Sequence, residues 1–303
     1  MYRNFDEIIG AARARGPRTV SVAVAQDLDV LLALKAARDE GLIQAVLVGE
    51  AKVIEPLAAQ AGLGDAQIID EADQDEAALK AADLVRQGRA QILMKGLINS
   101  SNFLRAVLNK ERGLRKSKLL CHLGVFEVPG APRLMFHSDG GMNVAPDLEA
   151  KKEILINVLD SLKNMGFDKP NVAVLSHNEQ VNEKMPSTTD AAGLVKMAGE
   201  GLIPPCLIEG PMAMDVAASA EAAKHKKIDS RISGQVDVFL MPNIESGNMV
   251  GKTLIYYAGA KFAGLILGAS HPVVMASRSD TPAAKLCSIA LACLSAPADE
   301  AAS

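Results

Sequence analysis

Residues 272–281 read PVVMASRSDT: an apolar, largely β-branched run ends in Ser277 and Arg278, with Asp280 two positions on. A hydroxyl donor, a permanent cation with a planar donor fork and a carboxylate together suit a site that holds an anion and moves a proton. Asp280 before Pro282 also reads as the capped start of a helix. A second set lies in LMKGLINSSNFLRAVLNKE, residues 93–111. There Lys95 supplies charge, Gly96 permits close approach, Ser100 or Ser101 donates a hydroxyl, and Arg105 sits about one turn inside the following helix, placed to grip anion oxygens. A capped helix with a surface arginine fits the same spacing.

Two further stretches offer polar groups at strand ends. HSDGGMN (137–143) carries Ser138, Asp139 and Asn143 around paired glycines, which is either a cleft wall or a polar turn. MPNIESGNMVGKTL (241–254) leaves an apolar strand through Asn243 and opens a helix bearing Gly247 and Asn248, with Lys252 one turn later on the face of Asn248. In EKMPSTTDAAGL (183–194), the run Ser187, Thr188, Thr189 before Asp190 reads first as an N-terminal cap and second as a ligand loop. Asp215, at the end of IEGPMAMD, reads as another cap.

Several kinds of chemistry lack their signatures. The five histidines, His122, His137, His177, His225 and His271, show no metal-ligand spacing. No GxSxG elbow, Walker loop or GxGxxG turn is present. What remains is a donor set of Arg, Lys, Ser, Asn and Gly at strand ends, suited to holding a phosphoryl group and a developing oxyanion. Acyl or phosphoryl transfer is the expected class, with no metal and no tightly bound cofactor.

The elements that must position these residues alternate. Short apolar runs at 19–25, 44–49, 66–70, 91–97, 171–176, 205–210, 236–242, 263–269 and 272–277 predict strands, and helical-period stretches lie between them at 28–40, 74–87, 100–110, 146–164, 189–199 and 246–260. Such alternation predicts an α/β fold with parallel sheets, whose ligands bind at strand carboxyl ends. Residues 119–140 break the rhythm as two extended runs around a Pro/Gly turn, a predicted hairpin. The expected first domain is 1–142 plus 265–303, its sheet rejoined by the late strand, and the second is 143–264.

The chain of 303 residues is 49% hydrophobic, enough for two ordinary domains. A net charge of -4 and 3% aromatics provide neither the basic surface nor the stacking platform that nucleic acid requires. Cys121, Cys206, Cys287 and Cys293 are widely spaced, without CxxC, and read as reduced core residues. No apolar run reaches spanning length, so the expected setting is cytoplasmic, away from the membrane.

Taken in order, MKGLINSSNFLRAVLNKERGLR, KMPSTTDAAGLVKMA, IEGPMAMD, PNIESGN with Lys252, and PVVMASRSD with SIALA resemble the phosphate acetyltransferase/phosphate butyryltransferase family almost end to end, and SRSD…KLCSIALA is closer to the butyryltransferase branch. The resemblance implies two three-layer α/β/α domains of the isocitrate/isopropylmalate dehydrogenase-like kind, an interdomain cleft and a homodimer. It implies the reaction of acyl-CoA with phosphate to give acyl phosphate and coenzyme A, reversibly, by direct thiolate attack in a ternary complex. Acetyl specificity, or a non-catalytic CoA- or acyl-phosphate-binding protein, are the alternatives. By position, Ser277 and Arg278 match the family's serine–arginine pair, and Arg105 matches a second phosphate ligand. Two positions depart from the acetyltransferase pattern: Ala284 stands where that branch has its proposed basic aspartate, and Tyr256 where it has an arginine. Asp280 is then the first candidate for base or base-orienter and Asp139 the second. Gly251, where many relatives are expected to carry tyrosine, suggests a widened pocket.

Overall fold

A computed structural model describes residues 2–276 and 280–297. Ser277 and Arg278 lie outside the described residues. The elements run α1 (Phe5–Ala14), β1 (Arg18–Ala23), α2 (Leu28–Asp39), β2 (Ile43–Gly49), α3 (Ala51–Gln60), β3 (Gln67–Asp70), α4 (Gln74–Arg86), β4 (Ile92–Lys95) and α5 (Ser100–Val107), then β5 (Cys121–Glu127), β6 (Met135–Ser138), α6 (Leu148–Asn164), β7 (Asn171–Leu175), α7 (Pro186–Gly199), β8 (Leu207–Met212), α8 (Met214–Ala218), α9 (Ala220–His225), β9 (Val238–Leu240) and α10 (Ile244–Tyr256). The chain ends with β10 (Lys261–Leu267), β11 (Val273–Val274) and α11 (Pro282–Ser295). The class is mixed α/β, as the alternation predicts.

Contacts divide the chain into two compact units, one of Lys118–Lys261 and one of Tyr2–Ser117 with the segment from Phe262 onward. The sequence reading sets the first boundary after residue 142 instead. The difference is the hairpin: β6 pairs in parallel with β9, Phe136 opposite Val238 and Ser138 opposite Leu240, and that ladder draws residues 119–140 into the central unit.

In the unit that holds both termini the strands follow the order β3-β2-β1-β4-β11-β10, parallel except for the β10–β11 pair. Parallel strands need a crossover, and α2, α3 and α4 supply it. All four residues of β4 are buried, which is why an apolar run that ends in lysine makes a central strand. Side-chain caps start the helices: Asp73 accepts from Glu76 N at 2.8 Å before α4, and α4 then buries Ala77, Ala78, Ala81, Ala82 and Val85 along one stripe.

The central unit orders its strands β5-β6-β9-β7-β8. β5 and β6 form the predicted antiparallel hairpin, with Gly124 opposite His137, and the other pairs are parallel. Its core gathers Ala173, Leu175, Met212, Val216, Ile232 and Phe239. The four cysteines are free, three of them buried, and burial pushes the Cys206 thiol up to about 11 and that of Cys293 to about 12.

Candidate functional site

β4 ends at Lys95, which is 8% exposed with Nζ 3.4 Å from the Gly96 carbonyl. Gly96 N donates to Ala23 O at 2.9 Å and Leu97 N to Val24 O at 2.7 Å, so a Cβ on Gly96 would drive into the Val24 backbone. Asn99 caps α5 by accepting from Ser101 N at 3.0 Å, while Ser100 is exposed. Arg105 points along the exposed face, its Nη2 3.0 Å from Asn102 Oδ1 and its Nη1 4.0 Å from Asp75 Oδ2. The helix start has its own cap and a solvent-facing guanidinium beside it, the arrangement of a capped helix with a surface arginine.

β6 delivers Ser138 and Asp139 to a tight loop. The Ser138–Asp139 peptide is cis, and Ser138 Oγ donates to the His122 carbonyl at 2.8 Å. Asp139, 2% exposed, gathers five N–H donors. Its Oδ1 accepts from Gly141 N at 2.7 Å and Met142 N at 2.9 Å; its Oδ2 accepts from Asn143 Nδ2 at 2.6 Å, Asn143 N at 3.2 Å and His122 N at 3.3 Å. A carboxylate offers about four lone-pair sites, so this group is fully occupied in folding the loop. Asn143 Nδ2 also reaches Leu120 O at 2.9 Å. Ser138, Asp139 and Asn143 do come together, and their polar atoms bind the loop to itself and to the start of β5.

α10 locks onto that loop. Asn248 Nδ2 donates to Gly140 O at 3.3 Å, and a Cβ on Gly247 would meet Asp139 O at 2.5 Å and Gly140 Cα at 2.7 Å. The Gly-Asn pair at the helix start is thus explained by the close approach of two backbones. Asn243 caps the helix, accepting from Ser246 N at 2.9 Å. Lys252 is exposed further along. Gly251 opens no pocket: it is buried, and a Cβ there would stand 3.1 Å from Phe126 Cζ and 3.2 Å from His137 Cε1, so the residue lets α10 settle on the β5–β6 hairpin.

Beyond the first turn of α10 opens a cleft of about 870 Å³, lined by Pro146, Lys151, Ser176, His177, Ser187 and Asn243 among others. Ser176 Oγ and Ser187 Oγ lie 2.8 Å apart, and Lys151 Nζ, almost wholly buried, pairs with Asp190 Oδ2 at 2.5 Å. The volume falls within the range of small-molecule sites, about 300–1,000 Å³. Sequence reasoning read 183–194 as a cap first, but α7 begins at Pro186 with Met185 as N-cap and no side-chain cap bond. Thr188 stitches the preceding loop, donating to Met185 O at 2.8 Å and accepting from Asn182 N at 2.9 Å, and Ser187 is left to face the cleft. Ser176 and His177 were missed, although they end a predicted strand and the strand-end rule points to them.

The turn into α11 is held twice. Thr281, not Asp280, caps the helix, accepting from Ala284 N at 3.2 Å with Pro282 in the first position. Lys285, 4% exposed, donates from Nζ to the Asp280 carbonyl at 2.6 Å. Among the described residues no group of three or more His, Cys, Asp or Glu could hold a metal ion, and no helix is long and apolar enough to cross a membrane.

Comparison with known proteins shows the family. Residues 66–293 match the family model described as "Phosphate acetyl/butaryl transferase". The chain is 44% identical to the phosphate butyryltransferase of Clostridium acetobutylicum over 97% of its own length and 98% of the relative's. It is 39% identical to the phosphate acetyltransferase of Rhizobium meliloti, covering 96% of this chain and 92% of that one. Among solved structures it is similar to a branched-chain phosphotransacylase from Enterococcus faecalis V583, with a TM-score of 0.80 and 29% identity over 92% of this chain and 98% of that one.

Proposed function

Since the chain belongs to the phosphate acetyl/butyryl transferase family, we propose that it transfers a short-chain acyl group reversibly between coenzyme A and inorganic phosphate, with butyryl the favoured group. The observation that carries the reading is the end-to-end likeness, at 44% identity, to a phosphate butyryltransferase. The acetyl-specific reading keeps the support of the 39% identical phosphate acetyltransferase.

In the proposed reaction the CoA thiolate attacks the carbonyl carbon of the acyl phosphate. The C–S bond forms, the bond from that carbon to the phosphate oxygen breaks, and phosphate leaves with the electron pair; the thiol proton passes to a base. Ser277 and Arg278 engage the phosphate side, with Arg105, Lys95 and the α5 start contributing charge and donors. Asp280 is the proposed base or base-orienter. Its backbone is pinned by Lys285, and a thiol of ordinary pKa near 8.5 needs only modest help. Asp139 is the weaker candidate because its oxygens are occupied by five N–H donors. The cleft beside α10 adds Ser176, Ser187 and Asn243 as groups able to orient substrate. The finer reading extends to two isocitrate/isopropylmalate dehydrogenase-like domains with the site between them, a homodimer, a cytoplasmic setting, and coenzyme A as substrate with no resident cofactor.

The test is phosphate-dependent release of free CoA thiol from acetyl-, propionyl- and butyryl-CoA. Wild type should release thiol fastest from butyryl-CoA, and Arg278→Ala should lose about 100-fold or more in kcat/KM, the scale of losing a charge-stabilising donor. Asp280→Asn should lower kcat at saturating CoA. No release from any acyl-CoA overturns the transferase reading; normal turnover in Asp280→Asn overturns only the base.

A further inference from the structure

Lys151 and Lys285 are both buried, at 5% and 4% exposed, and they differ in what meets the charge. Lys151 pairs with the Asp190 carboxylate at 2.5 Å. Lys285 reaches a backbone carbonyl, that of Asp280 at 2.6 Å, and among the described residues this is its one polar partner. A lysine ammonium carries three donors and no acceptor, so two N–H groups are left over. The place in the helix adds to the cost. α11 has no acidic residue in its first turn, and Lys285 is the fourth residue after the Thr281 cap, at the end whose free N–H groups disfavour a cation. Burial, helix polarity and an incomplete partner set all count against lysine here, and an apolar side chain of similar volume would avoid all three. The reason for it lies in what the bond to Asp280 does.

That bond closes a short loop. Upstream, β11 is fixed to the sheet by its parallel ladder with β4, Val273 opposite Leu93 and Val274 opposite Met94. Downstream, α11 is buried throughout 287–295 and packs on α1 and α2, and Ser288 Oγ accepts from Gly264 N of β10 at 3.0 Å. Between these anchors run residues 275–280, which include Ser277 and Arg278 in the sequence. The Thr281 cap holds the helix start itself, and Lys285 holds the residue before it. Reach explains the residue type: the bond runs from the second helical turn back across the cap to a carbonyl five residues earlier, a span for a long side chain with a donor at its tip. Precision explains the need. Groups that hold a reacting anion must sit within about 0.5 Å of their working positions, and a displacement of about 1 Å can cost about 100-fold.

We propose that Lys285 is a positioning residue for phosphate: by holding the Asp280 backbone against α11, it sets how the loop presents Ser277 and Arg278. The inference rests on the transferase reading and assigns a further residue to its phosphate side.

Steady-state kinetics of the full-length protein, with phosphate and butyryl-CoA varied separately, test the proposal beside thermal melts. Lys285→Met should raise the KM for phosphate about tenfold or more and change that for butyryl-CoA less than about twofold. Its melting temperature should hold or rise, because a buried charge has been exchanged for a thioether and the half-buried Asp280 can take water on its carbonyl. Lys285→Arg, which keeps a donor of similar reach, should recover most of the phosphate affinity. Thr281→Ala should do the reverse of Lys285→Met, lowering the melting temperature by about 2 °C with the phosphate KM near that of wild type. Three results, each against an active wild type, overturn the proposal. One is an unchanged phosphate KM in Lys285→Met. Another is a lower melting temperature in that variant with kcat and both KM values shifted together, the mark of a merely structural residue. The third is the same phosphate defect in Thr281→Ala, which would assign the effect to the turn as a whole. A wild type that releases no thiol with phosphate is a different failure, which overturns the transferase reading and this role together.

Discussion

His137 is 2% exposed, packs against Phe126 in a tilted arrangement at 4.8 Å between ring centroids, and has its Nδ1 buried without a partner. Burial first, and the neighbouring His122 second, lower its pKa from 6.5 to about 3. The unfolded chain therefore takes up a proton here as pH falls below 6.5, which the folded chain refuses until about pH 3. The stability this residue contributes is complete above pH 6.5 and lost through that window, at up to about 1.4 kcal/mol per pH unit. Denaturant titrations between pH 7 and 4 should show that slope, and His137→Gln should flatten it. The imidazole resonances of the wild-type protein give a check independent of the mutant: those of His137 should not titrate between pH 7 and 5, and a normal titration would overturn the assignment. The residue sits at the foot of the Asp139 loop, its Nε2 2.9 Å from where a Cβ on Gly140 would lie, so a neutral ring is also the one the loop can pack against.

At the scale of elements, the join between α10 and the Asp139 loop decides whether the loop keeps its shape. Gly247→Ala places a methyl 2.5 Å from the Asp139 carbonyl, and backbone on both sides cannot yield as a flexible side chain would. We expect a loss of about 2 kcal/mol or more in stability, with acyl transfer falling in parallel. Gly199→Ala in α7 is the control: nothing lies within 4 Å of its Cβ, so its melting temperature should hold or rise. Equal effects from the two substitutions would deny the close approach its role. This join was only half legible in the sequence. The pattern of apolar runs located the strands because burial and pleat impose it directly, and the hairpin at 119–140 announced itself through its Pro/Gly turn. Gly247 and Asn248 stood out by type, but their reason is a contact with residues more than a hundred positions away, which no local rule encodes. Asp139 could not be ranked from the sequence for the same cause: a carboxylate before paired glycines looks poised for chemistry, and only the fold shows the five donors that occupy it. Thr281 took the capping duty expected of Asp280 because Pro282 occupies the first helical position and the residue just before it is the cap.

For the molecule as a whole, the two compact units carry different parts of the proposed chemistry. The central unit is continuous, Lys118–Lys261, and holds the Asp139 loop and the polar cleft; Lys95, Arg105 and Asp280 belong to the unit built from both ends of the chain. A segment of this length, with its own five-stranded ladder and a core around Leu175, Ile232 and Phe239, meets the requirements of an independent domain, which runs to about 50–250 residues. We therefore expect residues 118–261, expressed alone, to unfold in one cooperative transition, followed by circular dichroism in urea. The fragment should release no CoA thiol from butyryl-CoA in the presence of phosphate, since Arg105, Ser277 and Arg278 are all missing. An unfolded fragment would mean that the ladder and core of this unit are insufficient without the rest of the chain. A folded fragment with turnover would remove the serine–arginine pair from the reaction and move the chemistry to Ser176, Ser187 and Lys151 in the polar cleft. A folded, inactive fragment leaves the phosphate-handling groups where the family's motifs put them, on the unit that the two chain ends build together.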